Sequence, residues 1–201
     1  MTSTAKKLPN TQPTIVRLFH WINIVSLFGT IASGLQIYNA NPVFGGREGI
    51  HIPWLLTLGG WLAGGRNWHF ALMWIYGLNL LAYGIYIFWT KRWRDRFVDN
   101  RDLKALQASN PKRRQYAWHR LVYTSIIPIL LLAIATGLSM YQPVQFYWLS
   151  SLFGDWQTLR TVHFMTVPLV LLYTLIHSTL ALGIGNGKIA VSFLNLKNVD
   201  S

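Results

Sequence analysis

The sequence predicts an all-α polytopic membrane protein, a four-transmembrane-helix bundle with an outer interfacial segment. Two observations indicate this fold class. The 201 residues are 52% hydrophobic but only 12% charged, about half the charged share of an ordinary soluble domain. Four stretches are also long and apolar enough to cross the roughly 30 Å hydrocarbon core of a bilayer. We expect a chain of this length and composition to form a single membrane domain, residues 1–201.

The four predicted spans cover approximately residues 15–38, 69–89, 118–141 and 159–182. None of the six acidic residues lies within a span. The first stretch is too long for the apolar core of a secretory signal peptide and lacks a clean cleavage site. Buried helices of a soluble protein do not explain four apolar stretches of this length, so we expect four transmembrane helices.

Basic residues predict the orientation of these helices. Fifteen of the eighteen Lys and Arg residues lie in or beside the N-terminal tail, the connection at 90–117 and the C-terminal tail. By the positive-inside rule, tails 1–14 and 185–201 and this connection face the cytoplasm, in a multi-pass protein of the plasma (inner) membrane. This topology explains the net charge of +12, so the expected partner is the lipid bilayer rather than nucleic acid.

The outer segment between the first two spans is rich in tryptophan. Trp54, Trp61 and Trp68 recur every seven residues, which would place them on one face of a helix. We therefore expect a helix lying at the outer membrane interface, where Trp is favoured. The alternative is an irregular aromatic belt.

A faint internal repeat links the first and third spans. The sequence A-S-G-L-Q-I-Y at 32–38 ends the first span, and A-T-G-L-S-M-Y at 135–141 ends the third. The repeat indicates either shared ancestry of two helical hairpins or convergent chemistry at helix ends.

Histidines carry the functional signal, because a histidine inside a span is costly and usually functional. Successive spans run in opposite directions, so His69 and His163 fall near the outer surface and His20 and His177 near the inner surface. His163 and His177 are fourteen residues apart. That spacing puts them on one helix face, separated axially by roughly 21 Å.

This pairing by depth suits two stacked haems, each held by one neutral imidazole on either face of the macrocycle. The chain has no cysteine, which excludes thiolate metal sites and covalent c-type haem attachment. The haems, and the iron they carry, must then be bound non-covalently as haem b. The alternatives are hydrogen-bonded core histidines and a zinc or copper site, the latter disfavoured by the absence of intramembrane carboxylates.

Three arginines precede a histidine by three residues, which makes them neighbours on a helix. In Arg17-x-x-His20, Arg66-x-x-His69 and Arg160-x-x-His163, each Arg is placed one turn closer to the surface. Guanidinium groups there could bind the anionic haem propionates. Arginines snorkelling at helix ends are the alternative.

The inner end of the third span holds three further candidates. His119, Arg120 and Tyr123 could form a quinone site or contact a propionate, and an interfacial cluster is the alternative. His51 precedes Pro53 in the outer segment, and we expect it to be an interfacial residue. No residue is assigned a catalytic role.

The chain resembles the bacterial cytochrome b561 family, which includes b-type cytochrome subunits of nickel–iron hydrogenases, formate dehydrogenases and thiosulfate reductases. The resemblance covers about residues 14–185. It is carried by R-L-F-H-W at 17–21, by G-R-N-W-H-F at 65–70 and by His163 with His177. The chain departs from the family in its four clear spans, its Trp-rich outer segment and its additional His119.

The resemblance implies a four- or five-helix bundle with two b haems. By resemblance, His20 and His177 hold the inner haem and His69 and His163 the outer one. Such proteins pass electrons between an outer redox partner and the quinone pool, with quinone as the substrate.

Three functions therefore stay open. The first is a dihaem electron-transport subunit of a larger oxidoreductase, with a partner subunit on the outer side. The second is a self-sufficient superoxide:quinone oxidoreductase or ferric reductase. The third is a haem-free membrane scaffold. A proton pump is disfavoured because the spans lack Asp and Glu.

Overall fold

The computed structural model describes residues 12–183. Its regular secondary structure is helical, and no strand occurs in that range. Its helices in chain order are α1 (Thr14–Ala40), α2 (Leu62–Trp89), α3 (Trp93–Arg96), α4 (Asn100–Ala105), α5 (Pro111–Tyr141), α6 (Tyr147–Ser150) and α7 (Trp156–Gly183). Helices α1, α2, α5 and α7 are long enough to cross a membrane, with mean hydropathy between 1.5 and 2.2. The predicted all-α, four-span architecture is confirmed. Most of the two predicted tails, 1–14 and 185–201, lies outside the described residues.

Two of the long helices begin well before the predicted spans. Helix α2 begins at Leu62 and α5 at Pro111, each seven residues ahead of the apolar stretch. In α5 the Asn110 side chain accepts hydrogen bonds from the backbone of Lys112 and Arg113. A capping Asn followed by Pro at the first helical position favours a helix start there, which apolarity alone does not reveal.

The predicted interfacial helix of the outer segment is wrong, and the irregular aromatic belt is confirmed. Trp54 begins a short 3₁₀ turn, Trp54–Leu56, whereas Trp68 lies inside α2 and Trp61 immediately precedes it. Gly59 and Gly60 adopt φ values of +114° and +71°, which break any helix between the tryptophans. The three rings are 83%, 68% and 51% exposed, so the segment presents them outward.

The four long helices pack as two pairs, α1 with α2 and α5 with α7, and close backbone approach between the pairs is sparse. Asn79 of α2 joins the first pair by donating to the Phe19 carbonyl at 2.9 Å and to Asn23 Oδ1 at 2.7 Å. The backbones therefore approach mainly within each pair, and side chains make contacts across the gap between the pairs.

Two ends of the bundle are distinguished below. The end at which α1 begins, α2 ends, α5 begins and α7 ends is called the basic end, and the opposite end is called the distal end. At the basic end, Arg120 of α5 forms a 2.6 Å ion pair with Asp102 of α4. Its guanidinium also donates to the carbonyls of Arg94 and Phe97. Both side chains of the ion pair are buried, so Arg120 fixes the α3–α4 connection against the bundle.

Candidate functional site

At the distal end, His69 of α2 and His163 of α7 face each other across the gap between the helix pairs. Their ring centroids are 6.3 Å apart and the ring planes are inclined at 79°. The sequence predicted these two histidines at one membrane level, and the structure brings their rings together. We call this pair the distal layer.

The hydrogen bonds of the distal layer define which imidazole nitrogen carries the proton. His69 Nδ1 lies 2.9 Å from the Thr30 carbonyl, which can only accept, so Nδ1 must donate. His163 Nδ1 lies 2.9 Å from Thr136 Oγ1. That hydroxyl donates its own proton to the Leu132 carbonyl at 2.7 Å, so it too accepts from the imidazole. In a neutral ring with Nδ1 protonated, Nε2 has the free lone pair that a metal requires.

The spacing of the two rings fits a shared metal ion. An imidazole nitrogen lies about 1.1 Å from the ring centroid, and a metal–imidazole bond is about 2.0–2.1 Å long. Two imidazoles that share one metal have ring centroids no more than about 6.3 Å apart. The observed 6.3 Å lies at that limit, so this donor set fits a haem held by both histidines.

Two glycines let α1 and α5 approach these rings. A Cβ on Gly34 would lie 3.2 Å from His69 Cε1, and one on Gly137 would lie 3.2 Å from His163 Cε1. Either methyl group would push the imidazole aside. Gly77 and Gly84 differ, because a Cβ there would meet nothing within 4 Å.

At the basic end, His177 of α7 lies among aromatic and polar side chains. The Tyr173 ring is stacked on it at 5.4 Å, and the rings of His119 and Tyr123 lie at 5.5 and 6.3 Å. His20 and His119 are both close enough to couple to His177 electrostatically. We call His20, His119 and His177 the basic-end layer.

One atom of the basic-end layer is left unsatisfied. His177 Nδ1 is buried and has no hydrogen-bond partner within the described residues. A buried imidazole nitrogen without a partner is costly, and an imidazole can bind a metal through either ring nitrogen, so His177 is a ligand that fits a bound haem. Its pairing with His20 stays a prediction. His177 lies fourteen residues of α7 from His163, roughly 21 Å along the helix axis.

The three predicted propionate arginines have different surroundings. Arg17 is buried, and its guanidinium donates to Thr14 Oγ1 at 3.1 Å. Arg66 is exposed and lies over the Phe70 ring at 5.8 Å. Arg160 donates to Gln157 Oε1 at 3.1 Å and to the Asn41 carbonyl. All three lie one turn from their histidines as expected, and their role at propionates stays a prediction.

Of the predicted inner-site residues, the structure brings His119 and Tyr123 to His177 and directs Arg120 elsewhere. Arg120 is occupied by Asp102 and two backbone carbonyls, which indicates a structural role. Its role at a quinone or a propionate stays a prediction. His51 is exposed in the outer segment between α1 and α2, with Nδ1 2.9 Å from the Gly49 carbonyl.

The structure adds two residues to the basic end, Arg96 and Tyr83, that the sequence did not single out. Arg96 of α3 lies over the Tyr123 ring at 5.8 Å and donates to Gln12 at 2.9 Å. It is also close enough to His177 to couple to it. Tyr83 of α2 shares a 3.1 Å hydrogen bond with the Tyr123 hydroxyl. Arg96 stands in a run of basic residues that resembles ordinary positive-inside charge, so its sequence context carried no distinguishing signal.

Four long apolar helices define the class of integral membrane proteins, and the histidines grouped near both ends offer neutral nitrogen donors of the kind that haem iron takes. The family model described as prokaryotic cytochrome b561 matches residues 11–188, and the chain belongs to this family. It is accordingly an integral membrane protein that binds haem b and transfers electrons, which argues against a haem-free scaffold.

One curated relative comes from Azospira oryzae and is described as a candidate protein-methionine-sulfoxide reductase subunit, YedZ1. It is 31% identical over 183 residues, which cover 86% of this chain and 90% of the relative. No solved structure matches the chain.

Proposed function

We propose that the protein is a dihaem cytochrome that carries electrons across the membrane between an oxidoreductase at the distal end and the quinone pool. The observation that carries this proposal is the pair of histidine layers, one near each end of α7. His69 and His163 are the proposed iron ligands of the distal layer, and His20 and His177 those of the basic-end layer. When bound, b-type haem supplies a one-electron Fe(III)/Fe(II) couple.

The polypeptide contributes ligation, orientation and exclusion of water. Thr30 and Thr136 hold the distal imidazoles with Nε2 unprotonated, and Gly34 and Gly137 leave room for the rings. Arg17, Arg66 and Arg160 are the proposed propionate partners. A cation near a propionate favours the less positive, reduced centre, so these arginines would raise the midpoint potentials.

The basic end is the proposed quinone side. Oxidation of a quinol releases protons and reduction of a quinone consumes them, so in either direction the quinone site must communicate with water. His119 and Tyr123, next to His177, are groups that can donate hydrogen bonds to a quinone carbonyl. The positive-inside rule supports a cytoplasmic basic end, with both termini on that side of the plasma membrane.

The distal end is the proposed partner side. Its two connections carry apolar and aromatic side chains that are more than half exposed, including Trp54, Tyr147 and Trp148. The Azospira relative is described as a subunit of a protein-methionine-sulfoxide reductase. We therefore propose that the partner is a separate reductase subunit, with oxidised methionine in proteins as the acceptor class.

A self-sufficient quinone-linked oxidoreductase is the second candidate. The relative's description as a subunit favours the first. Purified protein without a partner distinguishes the two: reduction of quinone by superoxide, or reduction of ferric iron by quinol, would support the second candidate.

Ligand variants test the proposed pairing. His163→Ala should reduce haem content from two per chain to one, because each haem depends on its own pair of histidines. His51→Ala is the matched control, since this exposed histidine lies outside both layers, and it should retain two. Loss of both haems in His163→Ala, or of neither, contradicts the pairing. The measurement is a pyridine haemochrome assay normalised to protein.

A further inference from the structure

The internal repeat of the sequence extends to the second helix of each pair. The motif R-x-x-H-F occurs at 66–70 on α2 and again at 160–164 on α7. It accompanies the A-[S/T]-G-L-x-x-Y motif at 32–38 on α1 and at 135–141 on α5. Each helix pair therefore contains one copy of both motifs.

Equivalent residues make equivalent contacts in the two pairs. Gly34 and Ser33 lie against the His69 ring, as Gly137 and Thr136 lie against that of His163.

The repeated motifs also contact each other across the gap, because the Tyr of each helix pair packs against the Phe of the other pair. Tyr38 of α1 stacks on Phe164 of α7 at 4.6 Å. In the equivalent contact, Tyr141 of α5 meets Phe70 of α2 edge-on at 4.8 Å. Reciprocal contacts of this kind are what a two-fold relation between two similar units produces. These contacts indicate a pseudo-two-fold relation between the helix pairs, with the distal layer where the pairs meet.

The two helix pairs differ in the atom that accepts from Nδ1 of the histidine at hydrogen-bond distance. His69 Nδ1 lies 2.9 Å from a backbone carbonyl, that of Thr30, while the Ser33 hydroxyl is 3.4 Å away. His163 Nδ1 instead lies 2.9 Å from the Thr136 hydroxyl. Since 3.4 Å is long for a hydrogen bond, the backbone carbonyl is the main acceptor for His69. For His163 the Thr136 hydroxyl lies at hydrogen-bond distance, with the Ala133 carbonyl, equivalent to that of Thr30, as a second neighbour.

We infer that Thr136 is a positioning residue for the distal haem: its hydroxyl fixes the tautomer and ring plane of His163, and so sets the midpoint potential of that haem. The inference rests on the proposed function, because it requires His163 to be an iron ligand. An acceptor at Nδ1–H makes an imidazole a more basic ligand, which favours the ferric state and lowers the potential.

Thr136→Val tests this inference in the full-length, haem-loaded protein. Valine keeps the shape but leaves Nδ1–H of His163 without its hydroxyl acceptor. The distal midpoint potential should rise, and a tenfold loss of preference for ferric iron corresponds to about 59 mV. The ferric low-spin electron paramagnetic resonance signal of the same haem should change, because it reports the relative orientation of the two imidazole planes. Thr136→Ser should restore both properties.

Ser33→Ala is the matched control. It removes the hydroxyl at the equivalent position of the other half, where the Thr30 carbonyl is the main acceptor. It should leave the distal potential and spectrum unchanged. A shift in Ser33→Ala as large as that in Thr136→Val would overturn the inference, because the effect would then follow loss of any buried hydroxyl.

Two further outcomes decide the inference. If the Val variant keeps the wild-type potential and spectrum, a neighbouring acceptor such as the Ala133 carbonyl suffices, and Thr136 has no positioning role. If the Val variant loses the distal haem, recovery in Thr136→Ser supports the inference and failure to recover contradicts it. The proposed function fails separately, through a wild-type protein that lacks two haems per chain.

Discussion

In the distal layer, the Nδ1 atoms of His69 and His163 both have hydrogen-bond acceptors on the partner helix of their own pair. In the basic-end layer, by contrast, the described part of the chain offers no partner to the buried Nδ1 of His177. Its neighbours are instead His119, Tyr123 and the cationic Arg96.

The comparison teaches that the two ends are suited to different tasks. Fixed tautomers and facing rings preorganise the distal layer for ligation and simple electron transfer. The basic-end layer has His119, whose imidazole can take up and release a proton, next to His177. This difference supports the proposed quinone side at the basic end.

The largest expected effect is the loss of one haem, which distinguishes the role of His177 from that of His119 in the basic-end layer. His177→Ala should remove the basic-end haem and leave one haem per chain, because no other residue of α7 is proposed to ligate there. His119→Ala should retain two haems while slowing the oxidation of pre-reduced protein by quinone. Haemochrome assays and stopped-flow absorbance measure the two effects. Loss of a haem in His119→Ala would show that His119, not His20, pairs with His177.

The next largest effect is expected from a substitution that disturbs packing against the distal imidazole rings and so weakens haem binding. Gly137→Ala places a methyl group 3.2 Å from His163 Cε1, so the imidazole must shift. The distal haem should bind about tenfold less tightly, within the range seen for disturbed ligand support. Gly84→Ala is the control, because its Cβ would meet no atom within 4 Å. Haem transfer to apomyoglobin measures the affinity, and equal loss rates in the two variants would contradict the packing role.

Removal of a charge near the basic-end layer should have a smaller effect, a shift in one midpoint potential. Arg96→Gln removes a cation close to His177 and should lower the midpoint potential of the basic-end haem by roughly 30–60 mV, where about 59 mV is tenfold. The distal potential should not move. Arg66→Gln, at the other end, should lower only the distal potential. Potentiometric titrations check both variants, and a shift of both haems in either one would contradict local action.

The smallest expected effect is on stability at acidic pH. It depends on two capping carboxylates, one at each end of the bundle. Backbone N–H donation from Asp102 lowers the pKa of Asp99 at the start of α4. Backbone and hydroxyl donation from Thr158 likewise lowers the pKa of Asp155 before α7. A lowered folded-state pKa stabilises the fold above the ordinary carboxyl pKa of about 4, and this is lost as the pH falls through the folded value.

The double variant Asp99→Asn with Asp155→Asn should therefore show a shallower decline in thermal stability below about pH 4. Glu48→Gln is the control, because this exposed carboxylate lies in the outer segment between α1 and α2, away from both caps. Thermal unfolding in detergent at several pH values measures the slope. Identical slopes for the double variant and wild type would contradict the capping contribution.

The long apolar stretches of the sequence were sufficient to predict the four spans, because apolar length is a local property. The order of His20, His69, His163 and His177 likewise indicated the layers, since depth follows from position in a span. The outer segment was mispredicted because a seven-residue Trp spacing ignores the backbone conformation that Gly59 and Gly60 adopt.

Contacts between helices could not be read from the chain. Arg120 was a candidate for quinone or propionate binding, but its ion pair depends on how α4 folds back on α5. The internal repeat could be recognised in the sequence. Its structural role became clear only from the contacts of Thr136 with His163 and of Tyr38 with Phe164. Pairings across the gap are set by tertiary packing, which leaves no periodic signal in a sequence.

The most direct test is the haem content of the purified wild-type protein, measured as pyridine haemochrome per chain after expression with ample haem. The expected result is two b haems per chain, one for each histidine layer. A single haem would show that only one layer ligates iron, and the absence of haem would contradict the central claim that both layers are haem sites.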